Sequence, residues 1–253
     1  MKLEINNKLE NYPTLSNIID NNDIIKWKKL EEIPKYYNIL SLLYYSDIQK
    51  NNQTFFKPYI YAVEILNTLE KYLTYFPELQ ENKSFKKKIK NLNGYSFFYT
   101  MTELSIAYLF LKNNYKISFE EKFIQNGKIK DVDIKVFFQD KIFYIEAYTP
   151  TNIANIDDFF NLNEYTNELK NKIRKKTLDK FSNVENKLIG KRYLAINTYL
   201  SEIFNINILL KNKDIIYTKL RNNLPIELDG LIIFYDNFNS IDSLKIEYID
   251  FEF

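Results

Sequence analysis

Two acidic residues lie in neighbouring segments that are predicted to pair as strands, and carboxylates held together in this way could bind a metal ion. Glu146 lies in the segment 142–148, whose β-branched and aromatic residues are typical of a strand. Asp133 begins a second segment of this kind, 133–138, and only residues 139–141 separate the two. A two-residue turn or a four-residue loop at this point gives the same antiparallel register. In that register Asp133 pairs with Glu146.

The predicted register brings two like charges together on one face of the sheet. Directly paired residues have Cβ atoms about 5 Å apart, and like charges at such positions destabilise a sheet. Asp133 and Glu146 therefore need a cation between them. Mg²⁺ or Mn²⁺ meets this need, because hard cations take oxygen ligands. We expect the backbone carbonyl of Ala147, on the same strand, to be a further ligand.

The composition excludes several other kinds of site. The chain contains no histidine and no cysteine. It therefore cannot form Cys/His zinc sites, histidine-dependent nucleophile systems or disulfides. Carboxylate, lysine, tyrosine and hydroxyl groups remain for chemistry. The lack of cysteine fits a cytoplasmic location, which we expect for this chain.

The net charge and the hydropathy pattern limit which partners the chain is expected to bind. The net charge is +2, so binding to nucleic acid would depend on a local basic patch and not on the overall charge. No apolar segment approaches the ~18 residues that a membrane-spanning helix needs, and we expect no membrane partner. The first residues, 1–5, lack the apolar stretch of a signal peptide.

Two regions of the chain differ in their hydrophobic pattern. Residues 1–94 have apolar side chains at three- and four-residue spacing, which predicts an N-terminal helical region packed on the rest of the chain. Residues 95–253 alternate between helical and strand patterns, which predicts a mixed α/β core. The helices of this core are predicted at 102–113, 158–181 and 206–220. The strands are predicted at 115–123, 133–138, 142–148, 192–199, 229–235 and 244–253.

A third acidic residue, Glu103, lies within an apolar stripe of the first helix of this core. The stripe includes Ile106, Ala107 and Phe110 at three- and four-residue spacing. A glutamate at such a position is unusual, because an unpaired buried carboxylate is unfavourable. Glu103 is therefore a candidate for the same site. The structural alternative is a capping box with Thr100, in which Glu103 bonds to a backbone N–H at the start of the helix.

In the order of these acidic residues the chain resembles the PD-(D/E)xK nuclease superfamily. That family places a glutamate on a first helix, an aspartate at the start of a second strand and (D/E)-x-K on the third strand. Glu103, Asp133 and Glu146 match these places in order and in predicted element. The resemblance covers residues 95–235 and implies the family's αβββαβ core, the restriction-endonuclease-like fold.

The chain departs from the family pattern at two positions. Tyr148 stands where the motif has lysine, and Val132 stands where it has proline. In the family, the lysine positions the attacking water and stabilises the charge that develops on the phosphate. A neutral tyrosine can donate a hydrogen bond but supplies no positive charge.

Two sources could supply the missing positive charge. Lys135 is predicted to lie on the face of Asp133, one pair along the ladder and opposite Tyr144. The predicted helix 158–181 carries a basic cluster, of which Lys176 is our candidate for the site. The cluster consists of Lys172, Arg174, Lys175, Lys176 and Lys180. Its first four members are also candidates for contacts with nucleic-acid phosphates.

The resemblance implies a metal-dependent phosphodiesterase, and we expect it to act on DNA. Asp133 and Glu146 would bind Mg²⁺ or Mn²⁺, and Glu103 would hold a second metal or an outer-shell water. Tyr148 would orient the water or the phosphate, and a lysine from one of the two sources would supply the positive charge. The expected partner is DNA, contacted through its phosphates, and a homodimer is left open.

Other interpretations of the same residues stay open. A nuclease-like fold that has lost catalysis could serve as a nucleic-acid or protein binding module. Asp133 and Glu146 could lie on a solvated sheet face, each paired with a lysine, and the basic cluster could be a solvated helix face. A third alternative is a structural helical protein with an accessory sheet. The position of a lysine near the carboxylates separates an active nuclease from a binding module.

Overall fold

The computed structural model describes residues 5–32, 38–51, 61–92, 95–150, 162–184, 188–199, 211–221, 224–241 and 245–250. The chain divides into two compact units. The first consists of residues 1–105 and 237–243, and the second of residues 106–236 and 244–253. The division falls within one helix, Ser96–Lys112, which begins next to the predicted boundary at residues 94 and 95.

The first unit is helical in the residues that the structure describes. Its elements are α1 (Ile5–Leu9), α2 (Pro13–Ile18), α3 (Asn21–Lys28), α4 (Ile39–Asn51), α5 (Ala62–Tyr75), a 3₁₀ helix (Pro77–Gln80), α6 (Lys83–Ile89) and the start of α7 (Ser96–Lys112). Asp20 and Asp23 form a capping box that satisfies backbone N–H groups at the start of α3. Glu70 of α5 accepts hydrogen bonds from the backbone N–H groups of Thr14 and Leu15 at 2.6 and 3.1 Å, which joins α5 to the start of α2. Among the described helices, none is both long enough and apolar enough to cross a membrane.

The second unit is a mixed α/β structure, as predicted. Among the described residues, its strands are β1 (Lys116–Gln125), β2 (Lys128–Phe138), β3 (Lys141–Tyr148), β4 (Lys191–Asn197), β5 (Gly230–Tyr235) and β6 (Lys245–Asp250), and they lie in the sheet in this order. The first three strands are antiparallel, β3, β4 and β5 are parallel, and β6 is antiparallel to β5. In the described parts of the connections between the parallel strands, α8 (Leu162–Phe181) precedes β4 and α9 (Lys213–Arg221) precedes β5.

Short turns set the register of the first three strands. Asn126 and Gly127 have positive φ, which suits the tight turn between β1 and β2. A two-residue turn that begins with Gln139, also at positive φ, joins β2 to β3. Lys135 pairs with Tyr144, so the predicted register of this hairpin is confirmed.

The structure corrects the predicted bounds of two elements that carry candidate residues. The prediction of a helix beginning at residue 102 is wrong, because α7 begins at Ser96 and Thr100 already lies inside it, its hydroxyl donating to the carbonyl of Ser96 at 3.0 Å. The capping-box interpretation of Glu103 is therefore wrong as well. Strand β2 begins at Lys128, so Asp133 lies in the middle of the strand and not at its start. The predicted helix starts at residues 158 and 206 lie outside the described residues.

A hydrophobic core holds α8 against the sheet. Parallel strands need a crossover connection, and α8 lies in the one between β3 and β4. Leu169 and Ile173 of α8 are fully buried and belong to one cluster with Val132, Leu194 and Leu231 from the strands. Because Leu169 and Ile173 are four residues apart, they lie on one side of the helix. This packing determines which residues of α8 face the sheet.

Candidate active site around Glu146

Glu146 is a buried carboxylate in the middle of the sheet. It lies on β3, opposite Leu194 of β4, and only 2% of its surface is exposed. A charged group at such a position is strongly unfavourable unless opposite charges or hydrogen bonds compensate it. The neighbours of Glu146 therefore decide what this site can do.

Two lysines of α8 bring their ammonium groups to Glu146. Lys176 Nζ lies 3.0 Å from Oε1, and Lys180 Nζ lies 2.9 Å from Oε2. The two lysines are four residues apart and so project from the same side of the helix. Lys180 also donates to the backbone carbonyl of Asp131 at 2.7 Å, which connects α8 to β2. The positive charge beside the carboxylate thus comes from the helix and not from the strands.

Asp133 approaches Glu146 from the neighbouring strand. The backbone ladder between β2 and β3 ends at the pair Ile134–Ile145, one step before Asp133 and Glu146 would pair. Beyond this point, Asp133 Oδ2 accepts a hydrogen bond from the backbone N–H of Ala147 at 2.8 Å. The side chain of Asp133 therefore takes the place of a backbone acceptor, and its carboxylate interacts with that of Glu146.

The protonation of Glu146 reflects this crowded environment. Burial, and next the charge of Asp133, raise the pKa of Glu146 from 4.5 to about 7, while Lys180 and Lys176 act in the opposite direction. Burial alone would lower the pKa of both lysines, but the charges of Glu146 and Asp133 outweigh it and raise them. Both ammonium groups therefore stay charged at neutral pH.

A solvent-accessible cleft adjoins the buried pair. It has a volume of about 430 Å³ and lies between one side of α8 and the end of β3. Its lining residues are Tyr148, Glu168, Asn171, Lys172, Lys175, Lys176 and Asp179. Lys176 is 28% exposed and its Nζ lies 5.6 Å from the ring centroid of Tyr148. Lys176 therefore touches both the buried Glu146 and the space that a ligand could enter.

The structure brings some predicted residues together and leaves others apart. Lys172 and Lys175 line the cleft beside Lys176, whereas Arg174 is exposed and does not line it. Lys172 also forms an ion pair with Glu168 at 3.6 Å. The candidate nucleic-acid contacts on α8 therefore do not all face one space.

Lys135, the first proposed source of positive charge, has a different partner. Its Nζ lies 2.7 Å from Oε1 of Glu121 on β1 and above the rings of Phe137 and Tyr144. The structure thus brings Lys176, and not Lys135, to Glu146.

Glu103 belongs to the first unit, where its carboxylate accepts hydrogen bonds from Lys88 at 3.2 and 3.3 Å. A place for Glu103 beside Asp133 and Glu146 stays a prediction.

Lys180 contacts Glu146 but was not among the site residues predicted from the sequence. It belongs to the predicted basic cluster, but nothing in the motif distinguishes it from the other members. A usable signal was the four-residue spacing of Lys176 and Lys180, which puts both on one side of a helix. That signal becomes informative only once the buried residues Leu169, Ile173 and Thr177 identify the side of α8 that faces the sheet.

The carboxylate oxygens of this site are of the type that a hard divalent cation binds. Magnesium is commonly held by one or two carboxylates together with water and substrate phosphates, and Asp133 and Glu146 supply two carboxylates. Oε2 of Glu146 is buried and makes no well-aligned hydrogen bond, although Lys180 is in contact with it. In the described parts of the chain, no group of three or more acidic side chains could enclose a metal. These two carboxylates could hold a cation only if water or substrate supplied further ligands and a lysine moved away from Glu146.

Compared with known protein families, with curated proteins and with solved structures, the chain has no match.

Proposed function

We propose that this protein is a metal-dependent phosphodiesterase that acts on DNA through a PD-(D/E)xK arrangement, with its motif lysine relocated to Lys176. The position of Lys176 is the observation that carries the proposal. Its ammonium lies 3.0 Å from Oε1 of Glu146 and above the ring of Tyr148, the residue that stands in the lysine position of the motif. It also lines the cleft.

The order of the elements supports the same proposal. From α7 to β4 the chain runs helix, three strands, helix and strand. The resemblance predicts this order, with the acidic residues of β2 and β3 side by side. Asp133 and Glu146 lie on these two strands and their charges interact.

The residues of the site have complementary roles in the proposed reaction. Asp133 and Glu146 would hold Mg²⁺ or Mn²⁺, which would supply an activated water and polarisation of the phosphoryl oxygen. Lys176 contacts the phosphate from the cleft and stabilises the negative charge that develops on it. Tyr148 keeps Lys176 in place with its ring and borders the space for the phosphate.

The cleft accounts for affinity towards a polyanion in a chain whose net charge is only +2. Lys172 and Lys175 line the cleft beside Lys176, and local lysines of this kind bind phosphates whatever the overall charge. They contact the phosphates next to the one that is cut. DNA is the substrate class that we propose.

A second candidate function is a nucleic-acid binding module without catalysis. One observation favours it: each oxygen of Glu146 is already in contact with a lysine ammonium, so the carboxylate is neutralised without a metal. In such a protein the cleft would still bind phosphates. Metal-dependent cleavage distinguishes the two candidates.

The test is a cleavage assay with purified protein on linear and plasmid DNA in the presence of Mn²⁺. We expect slow cutting that EDTA stops and that Asp133→Asn abolishes, while DNA binding by Asp133→Asn persists. Cleavage that continues unchanged in Asp133→Asn would remove the proposed nuclease function. DNA binding without any cleavage by the wild-type protein would favour the binding module.

A further inference from the structure

The cleft beside α8 has lysines in its middle and an acidic residue towards each end. Glu168 and Asp179 both line it and are eleven residues apart on the helix, which is about 16 Å along its axis. Between them in the sequence lie the three lysines of the lining, Lys172, Lys175 and Lys176. A phosphate backbone that followed the whole helix would bring negative charge to both acidic residues. The arrangement therefore favours a short anionic ligand over a long one.

Some of these charges are already neutralised by ion pairs. Lys172 pairs with Glu168 at 3.6 Å, and Asp179 pairs with Lys130 at 3.4 Å. Lys175, in contrast, is exposed and forms no ion pair within the part of the chain that the structure describes. It can therefore bind an anion in the cleft without losing a partner.

Lys176 can turn to an anion without leaving a buried charge uncompensated. Its ammonium lies 3.0 Å from Oε1 of Glu146, but the side chain is 28% exposed and lines the cleft. Lys180 lies 2.9 Å from Oε2 of the same carboxylate, is 13% exposed and does not line the cleft. If Lys176 moved away, Lys180 would still pair with Glu146, whose buried charge would be strongly unfavourable alone. One lysine can thus exchange partners while the other stays.

The cleft has the size of a small-molecule site and an aromatic residue in its lining. Its volume of about 430 Å³ lies in the range of roughly 300–1,000 Å³ that is usual for ligand pockets. Tyr148 lines it beside the lysines, and aromatic side chains are platforms on which unpaired bases stack. The bases of a duplex are stacked on one another and paired, so a duplex could offer only its phosphates. An unpaired nucleotide can bring a base and a phosphate into the cleft together.

We propose that the cleft binds an unpaired dinucleotide segment of nucleic acid without a metal, and that Lys176 exchanges Glu146 for a phosphate of this ligand while Lys180 keeps Glu146 paired. Lys175 binds the neighbouring phosphate, and Tyr148 supports a base. This inference rests on the proposed function for the class of ligand, nucleic acid, and narrows that class to single strands. It needs neither a bound cation nor cleavage.

The first experiment measures binding to the whole chain in EDTA by fluorescence anisotropy, with a labelled oligothymidylate as the probe. The competitors are 5′-phosphorylated dithymidylate, a longer oligothymidylate, its uncharged methylphosphonate analogue, a blunt duplex and inorganic phosphate. We expect the dinucleotide to bind nearly as tightly as the longer strand. The duplex should bind about tenfold more weakly, because its bases cannot stack on Tyr148. The methylphosphonate analogue and inorganic phosphate should compete only weakly.

These competitors also define the results that would overturn the proposal. Affinity that keeps rising with strand length would mean that the strand follows the helix. Equal binding of duplex and single strand would mean that no base enters the cleft. Competition by inorganic phosphate or by the uncharged analogue as strong as that by the dinucleotide would show a site for a lone phosphate or for bases alone. Each of these results overturns the proposal, as does the absence of binding by all of the ligands.

The second experiment tests the exchange of partners by Lys176. Glu146→Gln keeps the shape of the side chain but removes the charge that holds Lys176, so the dinucleotide should bind about tenfold more tightly. This factor corresponds to a lysine that is free of Glu146 about one tenth of the time in the wild type. The assay is made at mildly alkaline pH, because burial raises the pKa of Glu146 to about 7. In the Lys176→Met background the same change should have little effect, and damage to the fold would weaken binding instead.

Asp179→Asn is the matched control for the loss of a negative charge, because Asp179 lines the same cleft but pairs with Lys130. Any gain in affinity that it causes should be the same in the wild type and in Lys176→Met. Equal effects of Glu146→Gln in both backgrounds would overturn the exchange. If Glu146→Gln does not fold, Lys176→Met alone decides, because unchanged affinity of this variant for the dinucleotide overturns the proposal.

The inference and the proposed function can fail separately, because binding is measured in EDTA. Metal-free binding of the dinucleotide without Mn²⁺-dependent cleavage would support the inference and remove the nuclease function. Mn²⁺-dependent cleavage together with duplex binding as tight as that of single strands would keep the nuclease function and overturn the inference.

Discussion

Lys176 Nζ lies above the ring of Tyr148, 5.6 Å from its centroid. In the proposed nuclease arrangement Tyr148 takes the place of the motif lysine, and Lys176 of α8 lies directly beside it. The same ammonium lies 3.0 Å from Oε1 of Glu146. Substitutions at Lys176 and Tyr148 can therefore test whether Lys176 performs the role of the motif lysine.

Removal of Lys176, the proposed replacement for the motif lysine, should slow catalysis strongly. Lys176→Met should lower the rate of Mn²⁺-dependent DNA cleavage by about 100-fold, which is typical for loss of one group that stabilises developing charge. Lys172→Met is the matched control, because Lys172 lines the same cleft but pairs with Glu168. It should weaken DNA binding modestly and leave the rate at saturating DNA nearly unchanged. Equal rates for Lys176→Met and wild type would exclude Lys176 from the reaction.

A lysine restored at the motif position should compensate for this loss. In the Lys176→Met background, Tyr148→Lys should recover a large part of the lost rate, because it returns a positive charge to the same space. In the wild-type background, the change should be neutral or harmful, because a second ammonium would then repel Lys176. Single-turnover cleavage by the four proteins measures the interaction. Strong activation by Tyr148→Lys in the wild type would mean that Lys176 does not replace the motif lysine.

Asp133 should have two separable functions, one as a charge and one as a hydrogen-bond acceptor. Asp133→Asn removes the charge but keeps an oxygen that can accept the Ala147 N–H. Asp133→Ala leaves that N–H without a partner and should lower the free energy of unfolding by about 1–3 kcal/mol. Both variants should lose cleavage, and only Asp133→Ala should be clearly destabilised in urea titrations. A strong loss of stability in both would indicate that the charge itself holds the hairpin.

The stability of the protein should show the titration of Glu146. Its pKa is raised from 4.5 to about 7, so the folded state binds this proton more tightly than the unfolded state. The resulting stabilisation is fully present below pH 4.5 and is lost as the pH rises through about 7. The pKa values of Lys176 and Lys180 are raised above 10.5, so these groups do not titrate in this window.

Glu146→Gln cannot titrate and isolates this effect. The unfolding free energy of the variant minus that of the wild type should rise by roughly 2 kcal/mol from about pH 5 to about pH 8. Denaturant titrations at several pH values measure this difference, and other carboxylates cancel in it. A difference independent of pH would mean that the two lysines keep Glu146 ionised throughout.

One glycine should be needed for the approach of β4 to β3. A Cβ atom at Gly190 would lie 2.5 Å from the backbone oxygen of Ile142, which cannot move without disturbing β3. Gly190→Ala should therefore lower the free energy of unfolding by about 3 kcal/mol. Gly127→Ala is the control, because Gly127 has open space around it and only a positive φ, and should lose about 1 kcal/mol. Similar losses for both would show that the strand can shift to accept the methyl group.

The sequence by itself determined the local features of this protein. The alternation of residues and the three-residue separation of β2 from β3 predicted the register that pairs Lys135 with Tyr144. The order of helices and strands in the second unit also followed from hydrophobic periodicity. These features depend on neighbouring residues and short turns, whose geometry is limited. Element starts were less well predicted, because α7 and β2 extend beyond the segments with the clearest pattern.

Only the tertiary structure decided which lysines meet Glu146. The basic cluster of α8 offers five positive residues, and the sequence contains no means of ranking them by distance from β3. The burial of Leu169 and Ile173 against the sheet sets the rotation of the helix, and this rotation directs Lys176 and Lys180 towards Glu146. Lys135 forms an ion pair with Glu121 of β1, because β1 pairs with β2. This contact also joins residues from different elements. Contacts across a crossover connection depend on how whole elements pack, and that packing is a property of the complete core.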